Sequence, residues 1–393
     1  MPVPLIETGA PGGTVVVVHN IPGRQAVKVV SVVGARPQLV KLAPIAAAFA
    51  RTEHQHVIVH TGQHYDVNLS DVFFSGLGIP APDVHLGIGS GSHGVQTGRI
   101  LEAMDPVLAQ EAPDWVLVYG DTNSTLAGAV SAVKQHIKVA HLEAGLRSFN
   151  RRMPEEHNRV LTDHAADLLL APTEEALRHL ATEGLAERSV LSGDVMVDVC
   201  LQVRDSVLAG QHPRPVLPDG IDPDAPYLLA TLHRAENTDD PARLAALVEA
   251  LATLPVPVAL LAHPRLLAKA QEQGLKLAQG ALHVGNPVGY AGMIAAVLGS
   301  VGVVTDSGGL QKEAYLLGRP CTTLRSETEW LETLSGDWNR LVPDPRALSA
   351  DEWVRTATRP APATAQGEPF GDGRAAQRVV EILAERATLD RQA

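Results

Sequence analysis

Residues 138–160, KVAHLEAGLRSFNRRMPEEHNRV, decide how the rest of the chain is read. The stretch opens as a short apolar strand, Lys138 to His141, and places a carboxylate, Glu143, where that strand runs out. A loop with Arg147, Arg151 and Arg152 follows, then Glu155 and Glu156 behind Pro154, at a predicted helix start. Acids and guanidiniums gathered just past a strand end are poor packing material. They suit a site that moves a proton and holds an anion.

Outward from this stretch, strand and helix patterns alternate. Predicted strands cover 26–33, 56–60, 115–119, 168–171 and 189–193, with helices from Pro37, over 94–110, 124–135, 156–166 and 173–183. Beyond Asp198 the pattern weakens, and Gln211 to Pro226 holds five prolines, the signature of a connection. Alternation resumes with strands at 227–231, 257–262, 281–284, 301–305 and 320–324, and helices at 241–253, 266–273, 310–317 and 373–387. Two doubly wound α/β domains around a cleft are the architecture this implies. The expected divisions are an extension over 1–25, a first domain over 26–195, a second over 196–372, and a final helix over 373–393.

Composition agrees. Of 393 residues 45% are apolar and only 4% aromatic, so the cores are aliphatic, as buried parallel strands require. A net charge of −12 argues against a nucleic-acid surface. Cys200 and Cys321 stand alone, which points to no disulfide framework and a reducing, cytoplasmic setting. No apolar run approaches the ~20 residues of a membrane span, and the N-terminus lacks a signal-peptide pattern.

In open α/β sheets ligands bind outside the carboxyl ends of the strands. Here those ends carry Arg36, with Lys41 a turn further on, then Asp121 and Glu143, which one crossover should set side by side. In the second half they carry His233 and Arg234, His263 and Arg265, and Asp306-Ser307-Gly308-Gly309. Small residues before a helix expose backbone N–H groups to a phosphate. Plainer roles exist for each. Asp121 equally suits a helix cap, Glu155 and Glu156 the answer to a helix dipole, and the arginines a solvated loop. Residues 89–94, GSGSHG, match a dinucleotide fingerprint only literally, and His54, His56 and His60 follow strand alternation rather than a zinc spacing. No metal and no nicotinamide cofactor is expected.

The motifs VVGARPQLVK, HTGQHYD, VYGDTNSTLAGA, HLEAGLRSFNRRMPEEHNR, GDVMVD, LATLHRAENTDD, NPVGY, VVTDSGGLQKEAYLLGRP and TEWLE occur in this order over roughly 27–383. Together they resemble the non-hydrolysing UDP-N-acetylglucosamine 2-epimerases. GARPQ, AGLRSFNRRMPEE and TEW look most like the branch acting on UDP-2,3-diacetamido-2,3-dideoxy-glucuronate. The resemblance implies two Rossmann-like domains in the glycosyltransferase-B arrangement, with the last helix returning to the first domain. It implies inversion at C2 of a UDP-sugar without a cofactor, for cell-envelope polysaccharide such as lipopolysaccharide, by a homodimer. It matches Asp121, Glu143, Glu155 and His233 to catalytic positions. Arg36, Lys41, Ser307, Gly308, Gly309 and Arg325 match diphosphate and nucleotide contacts, and Glu313 matches the ribose-binding glutamate. Trp330, Val288, Met293 and Asp66 depart from the better-known members, which bears on sugar specificity and on activation by a second substrate molecule. A glycosyltransferase of the same fold, or a non-catalytic UDP-sugar-binding protein, are the alternatives.

Overall fold

The computed structural model describes residues 26–63 and 79–392. Three features singled out in the sequence lie outside that description: the extension 1–25, the His64–Asp66 end of the HTGQHYD motif, and the side chain of Arg36.

The first sheet is parallel throughout. Its strands are β1 (Lys28–Val33), β2 (Gln55–His60), β3 (Val84–His85), β4 (Trp115–Tyr119), β5 (Lys138–Leu142), β6 (Leu168–Ala171) and β7 (Ser189–Leu191), in the order β3-β2-β1-β4-β5-β6-β7. Helices α1 (Arg36–Phe49), α2 (His93–Glu111), α3 (Asn123–Lys134), α4 (Pro154–Ala165), α5 (Glu174–Thr182) and α6 (Val195–Leu208) connect and follow them. In β1, KVVSVV, near-continuous β-branched residues suit a strand covered on both faces. Val29 and Val33 enter one core with Leu42 and Ile45, while Val30 and Val32 enter the other with Ile100 and Ala127.

The second sheet repeats the plan with β8 (Leu228–Thr231), β9 (Val258–Leu261), β10 (Leu282–Gly285), β11 (Gly302–Thr305), β12 (Cys321–Thr323) and β13 (Asn339–Leu341), ordered β10-β9-β8-β11-β12-β13. Its helices are α7 (Ala235–Thr238), α8 (Pro241–Ala252), α9 (Pro264–Glu272), α10 (Tyr290–Gly299), α11 (Gly308–Leu316) and α12 (Ala350–Ala357). Finally α13 (Ala375–Gln392) packs Val379, Val380, Leu383 and Ala387 into the core of the first sheet. Asp198 on α6 caps it, accepting the N–H groups of Ala375 at 3.0 Å and Ala376 at 2.8 Å. The expected return of the last helix is therefore present.

In each sheet the strand order reverses once, between β1 and β4 and between β8 and β11. Connections leave in opposite directions there, opening a crevice at the carboxyl ends. The first reversal is flanked by Gly34 and Asp121, the second by His233 and Asp306. No helix among the described residues is long and apolar enough to cross a membrane.

Candidate active site

At the first reversal the β1–α1 and β4–α3 turns are sewn together by Gln38. Its side chain accepts the N–H groups of Gly34 (2.8 Å) and Ala35 (3.1 Å) and donates to the Tyr119 carbonyl at 2.8 Å. Gly34 has no room for a side chain, since a Cβ would fall 2.0 Å from Thr61 Oγ1. Helix α1 starts with Pro37 in its first turn and carries Lys41 back over the rim. There Lys41 pairs with Glu143, which leaves β5 with a φ of 71°. The two predicted residues, one for binding and one for catalysis, thus form one ion pair. Gly120 lies beside it, and a Cβ there would sit 3.3 Å from Glu143 Oε2. Burial would lower the Lys41 pKa, but the charge of Glu143 prevails and holds it above the usual lysine value.

Asp121 does not cap α3. That role belongs to Thr122, whose hydroxyl accepts the N–H of Thr125. The Asp121 carboxylate is instead gripped by Arg159 of α4, and Asn158 Nδ2 donates to its carbonyl at 2.9 Å. Arg159 also reaches Glu156 at 3.1 Å. Glu156 is buried and accepts from the Ser148 N–H and hydroxyl and from the Phe149 N–H, at 2.8–2.9 Å. Burial opposes its ionisation, yet these bonds hold its carboxyl below the ordinary range. Of the acidic pair, then, Glu156 shapes the loop. Glu155 is partly exposed, and among the described residues its side chain makes no hydrogen bond or ion pair.

The arginine loop needs a correction. Arg147 is not available to an anion: it is buried, clasped by Glu183 at 2.7 and 2.9 Å, and 2.7 Å from Asp163. Asp163 also faces His141, whose other ring nitrogen lies 2.6 Å from the Gly120 carbonyl. Only Arg151 and Arg152 stay exposed.

At the second reversal Asp306 is fully buried. It accepts the backbone N–H groups of His233 and Arg234 and the Asn237 amide, each at 3.0 Å, and lies 3.1 Å from His233 Nδ1. Ser307 caps α11 through its hydroxyl, leaving Gly308 and Gly309 at the helix start. Glu329 rests against that start: a Cβ on Gly308 would meet its Oε1 at 2.2 Å. Its carboxylate is bonded to Arg325 at 2.8 Å and lies 3.7 Å from Arg234. Further along α11, burial pushes the Glu313 carboxyl above its usual pKa, opposed in part by the Tyr290 hydroxyl and Lys312. Trp330 lies behind this helix start, with Nε1 3.7 Å from where a Gly308 Cβ would sit. It is buried, with the Lys312 ammonium 4.0 Å over its ring, and Lys312 pairs with Asp194 at the end of the first half. The tryptophan therefore belongs to the joint between the halves.

The two rims together supply carboxylates and an imidazole able to move protons, and a helix start with arginines able to hold a diphosphate. Arg159, Asp306 and Glu329 were not among the predicted site residues. Arg159 could have been suspected from its spacing, one turn after Glu155 and Glu156. Nothing in the sequence places Glu329 against Gly308.

The family model described as UDP-N-acetylglucosamine 2-epimerase matches residues 47–384. The UDP-2,3-diacetamido-2,3-dideoxy-D-glucuronate 2-epimerase of Pseudomonas aeruginosa is 45% identical, covering 91% of this chain and 99% of its own. A crystal structure of Methanocaldococcus jannaschii UDP-GlcNAc 2-epimerase in complex with UDP-GlcNAc and UDP aligns with a TM-score of 0.74 at 37% identity, covering 91% of this chain and 99% of that one. That of the Neisseria meningitidis enzyme bound to UDP-GlcNAc aligns at 0.75 and 26%, with 91% and 100% covered. With its two doubly wound sheets, its returning helix and this similarity along nine-tenths of its length, the chain belongs to the UDP-N-acetylglucosamine 2-epimerase family.

Proposed function

We propose that this isomerase inverts C2 of a UDP-2-acetamido sugar by eliminating and re-adding UDP, and that its substrate is the UDP-2,3-diacetamido-2,3-dideoxy-uronate. The observation that carries the reading is the pairing of two strand-order reversals, one flanked by acids and the other by an imidazole and a phosphate cradle. A base takes the C2 proton as the C1–O bond breaks, and UDP leaves with the bonding electrons, forming a C1=C2 glycal. A proton then reaches C2 from the opposite face and UDP re-adds at C1. The C2 proton is not beside a carbonyl, so its removal depends on positive charge growing at C1. Fixed donors around the departing diphosphate make that possible.

In this reading Asp121, Glu143, Glu155 and His233 are the catalytic residues. Arg36, Lys41, Ser307, Gly308, Gly309 and Arg325 receive the diphosphate, and Glu313 holds the ribose. The exposed Arg151 and Arg152 supply charge for a substrate carboxylate, which favours the uronate. The 45% identity to a uronate epimerase supports the same choice, and the UDP-GlcNAc epimerases in the family support UDP-GlcNAc as the second reading. The domain divisions at 195/196 and 372/373, a homodimeric state and a cytoplasmic location complete the proposal.

Proton NMR of each UDP-sugar incubated with the enzyme in deuterated water tests it. Deuterium at C2 without any acceptor is expected, faster for the uronate. Unchanged sugar in both tubes refutes epimerisation and leaves a transferase or a binding protein. Faster exchange with UDP-GlcNAc refutes the uronate alone.

A further inference from the structure

We propose that Asp306 is the positioning residue of His233, holding its ring so that Nδ1 is the protonated nitrogen and Nε2 is the one presented for proton transfer. The inference rests on the catalytic role proposed for His233.

The geometry is specific. A fully buried carboxylate is costly unless its oxygens find donors. Asp306 finds three at 3.0 Å: the His233 and Arg234 backbone N–H groups and Asn237 Nδ2. The fourth neighbour is His233 Nδ1, 3.1 Å from Oδ1. Burial pushes the Asp306 carboxyl up, but these bonds and the His233 ring outweigh it and hold the group ionised. An ionised carboxylate only accepts, so the nitrogen facing it must donate. In a neutral imidazole that fixes the tautomer and leaves Nε2 with the lone pair.

The imidazole is not buried with its partner. The side chain of His233 is 38% exposed while Asp306 is 0% exposed, so the edge away from Asp306 is the accessible one. One face is flanked by the His263 ring at 5.8 Å, tilted by 40°. The carboxylate is itself braced, since Asn237 donates also to the Leu324 carbonyl at 3.1 Å and accepts from Arg243 Nε at 2.8 Å. Asp306 directly precedes Ser307, so one strand end sets both the imidazole and the start of the phosphate cradle. Behind a metal-bound imidazole an orienting carboxylate changes function by about 10–100-fold when removed, and the same scale is expected where it orients a proton-transferring imidazole.

Asp306→Asn keeps an acceptor for the backbone N–H groups but turns the Nδ1 contact against a donor. Deuterium exchange at C2 is expected to fall about 10–100-fold in kcat, with KM and the UDP dissociation constant within about threefold. On a His233→Asn background the same change should alter residual exchange by less than about twofold, because the partner it acts through is gone. Nitrogen-15 NMR of the wild-type enzyme should show the His233 proton on Nδ1, a measurement that needs no variant to fold. A proton on Nε2 overturns the inference. So does D306N turning over within about twofold of wild type, or losing UDP affinity and turnover in equal measure, as a structural node would. Full exchange by His233→Asn alone instead removes the catalytic role of His233, a failure of the functional reading that the tautomer measurement does not share.

Discussion

Lys41 and Glu143 offer a prediction whose size follows from their surroundings. Their side chains are 14% and 13% exposed, so the pair is partly buried and sits nearer the buried than the exposed regime. An exposed pair contributes about 0–1 kcal/mol, whereas removing one member of a buried pair costs about 3–5 kcal/mol, because the other charge is stranded. Lys41→Met should therefore lower stability by about 3 kcal/mol, and Glu143→Gln by a similar amount. The double variant strands no charge and should be less destabilised than the sum by about 1–3 kcal/mol. Urea unfolding of the four proteins at pH 7 measures this. The raised Lys41 pKa sets the pH range: a lysine held above its unfolded value contributes fully below about 10.5 and loses the contribution as pH rises through the folded value. The same coupling is thus expected at pH 8.5. All three variants should lose C2 exchange, so stability rather than turnover reads the pair. Single variants each within about 1 kcal/mol of wild type, with additive effects, would refute the buried-pair reasoning.

Gly145 has a φ of 81°, and a Cβ there would lie 2.5 Å from the Ala176 carbonyl oxygen. Gly145→Ala should cost about 2–4 kcal/mol in thermal unfolding, and a cost under about 1 kcal/mol would contradict the geometry. Glu313→Gln should stabilise the ligand-free protein, because burial disfavours the ionised acid at neutral pH, while UDP binding measured by calorimetry weakens several-fold. Glu329→Gln removes a negative charge from the start of α11 and should tighten UDP binding by roughly two- to fivefold; unchanged or weaker binding would place the carboxylate outside the diphosphate's position. The depressed carboxyls of Asp163, Glu156 and Asp306 contribute stability above their ordinary values near about 4 and lose it as pH falls through their lower folded values. Near-UV circular dichroism should therefore change only as pH falls below about 4, and a flat signal there would exclude these groups as the acid-labile contacts.

The sequence showed β4 and β6 to the residue, because each is an apolar run between clear breaks. It missed α6, VMVDVCLQVRDSVL, whose valines favour strands locally. The helix exists because of what surrounds it: α6 contacts α1 and α13 on the first sheet and α10 and α11 on the second. Two more misses, β3 and β13, are edge strands of two and three residues, too short to leave a period. The strand-end rule put Asp121, Glu143, His233 and Ser307 just past strand ends, where the structure has them. It could not divide Glu155 from Glu156, since that depends on Ser148 and Phe149 folding back onto one of them. Nor could it show Arg147 to be structural, because its partners lie 16 and 36 residues further on. Local pattern finds the rim. Which charges on the rim are already spoken for depends on long-range contacts.

Those contacts separate the reaction's two requirements. The first sheet holds acids against cations, Lys41 with Glu143 and Arg159 with Asp121, an arrangement that fixes the carboxylates in place at the rim. The second sheet holds donors, Ser307 to Gly309 and Arg325 with Arg234, suited to receiving a diphosphate. A nucleotide-sugar transferase would need the second set, but the first would lack an obvious task. Breaking C2–H as C1–O opens requires both at once, because neither the proton nor the diphosphate departs readily alone. The halves are accordingly joined close to the cradle, where Lys312 of α11 pairs with Asp194 beneath Trp330. α11 thus carries the Ser307–Gly309 turn at its start and this anchor to the first half one turn later.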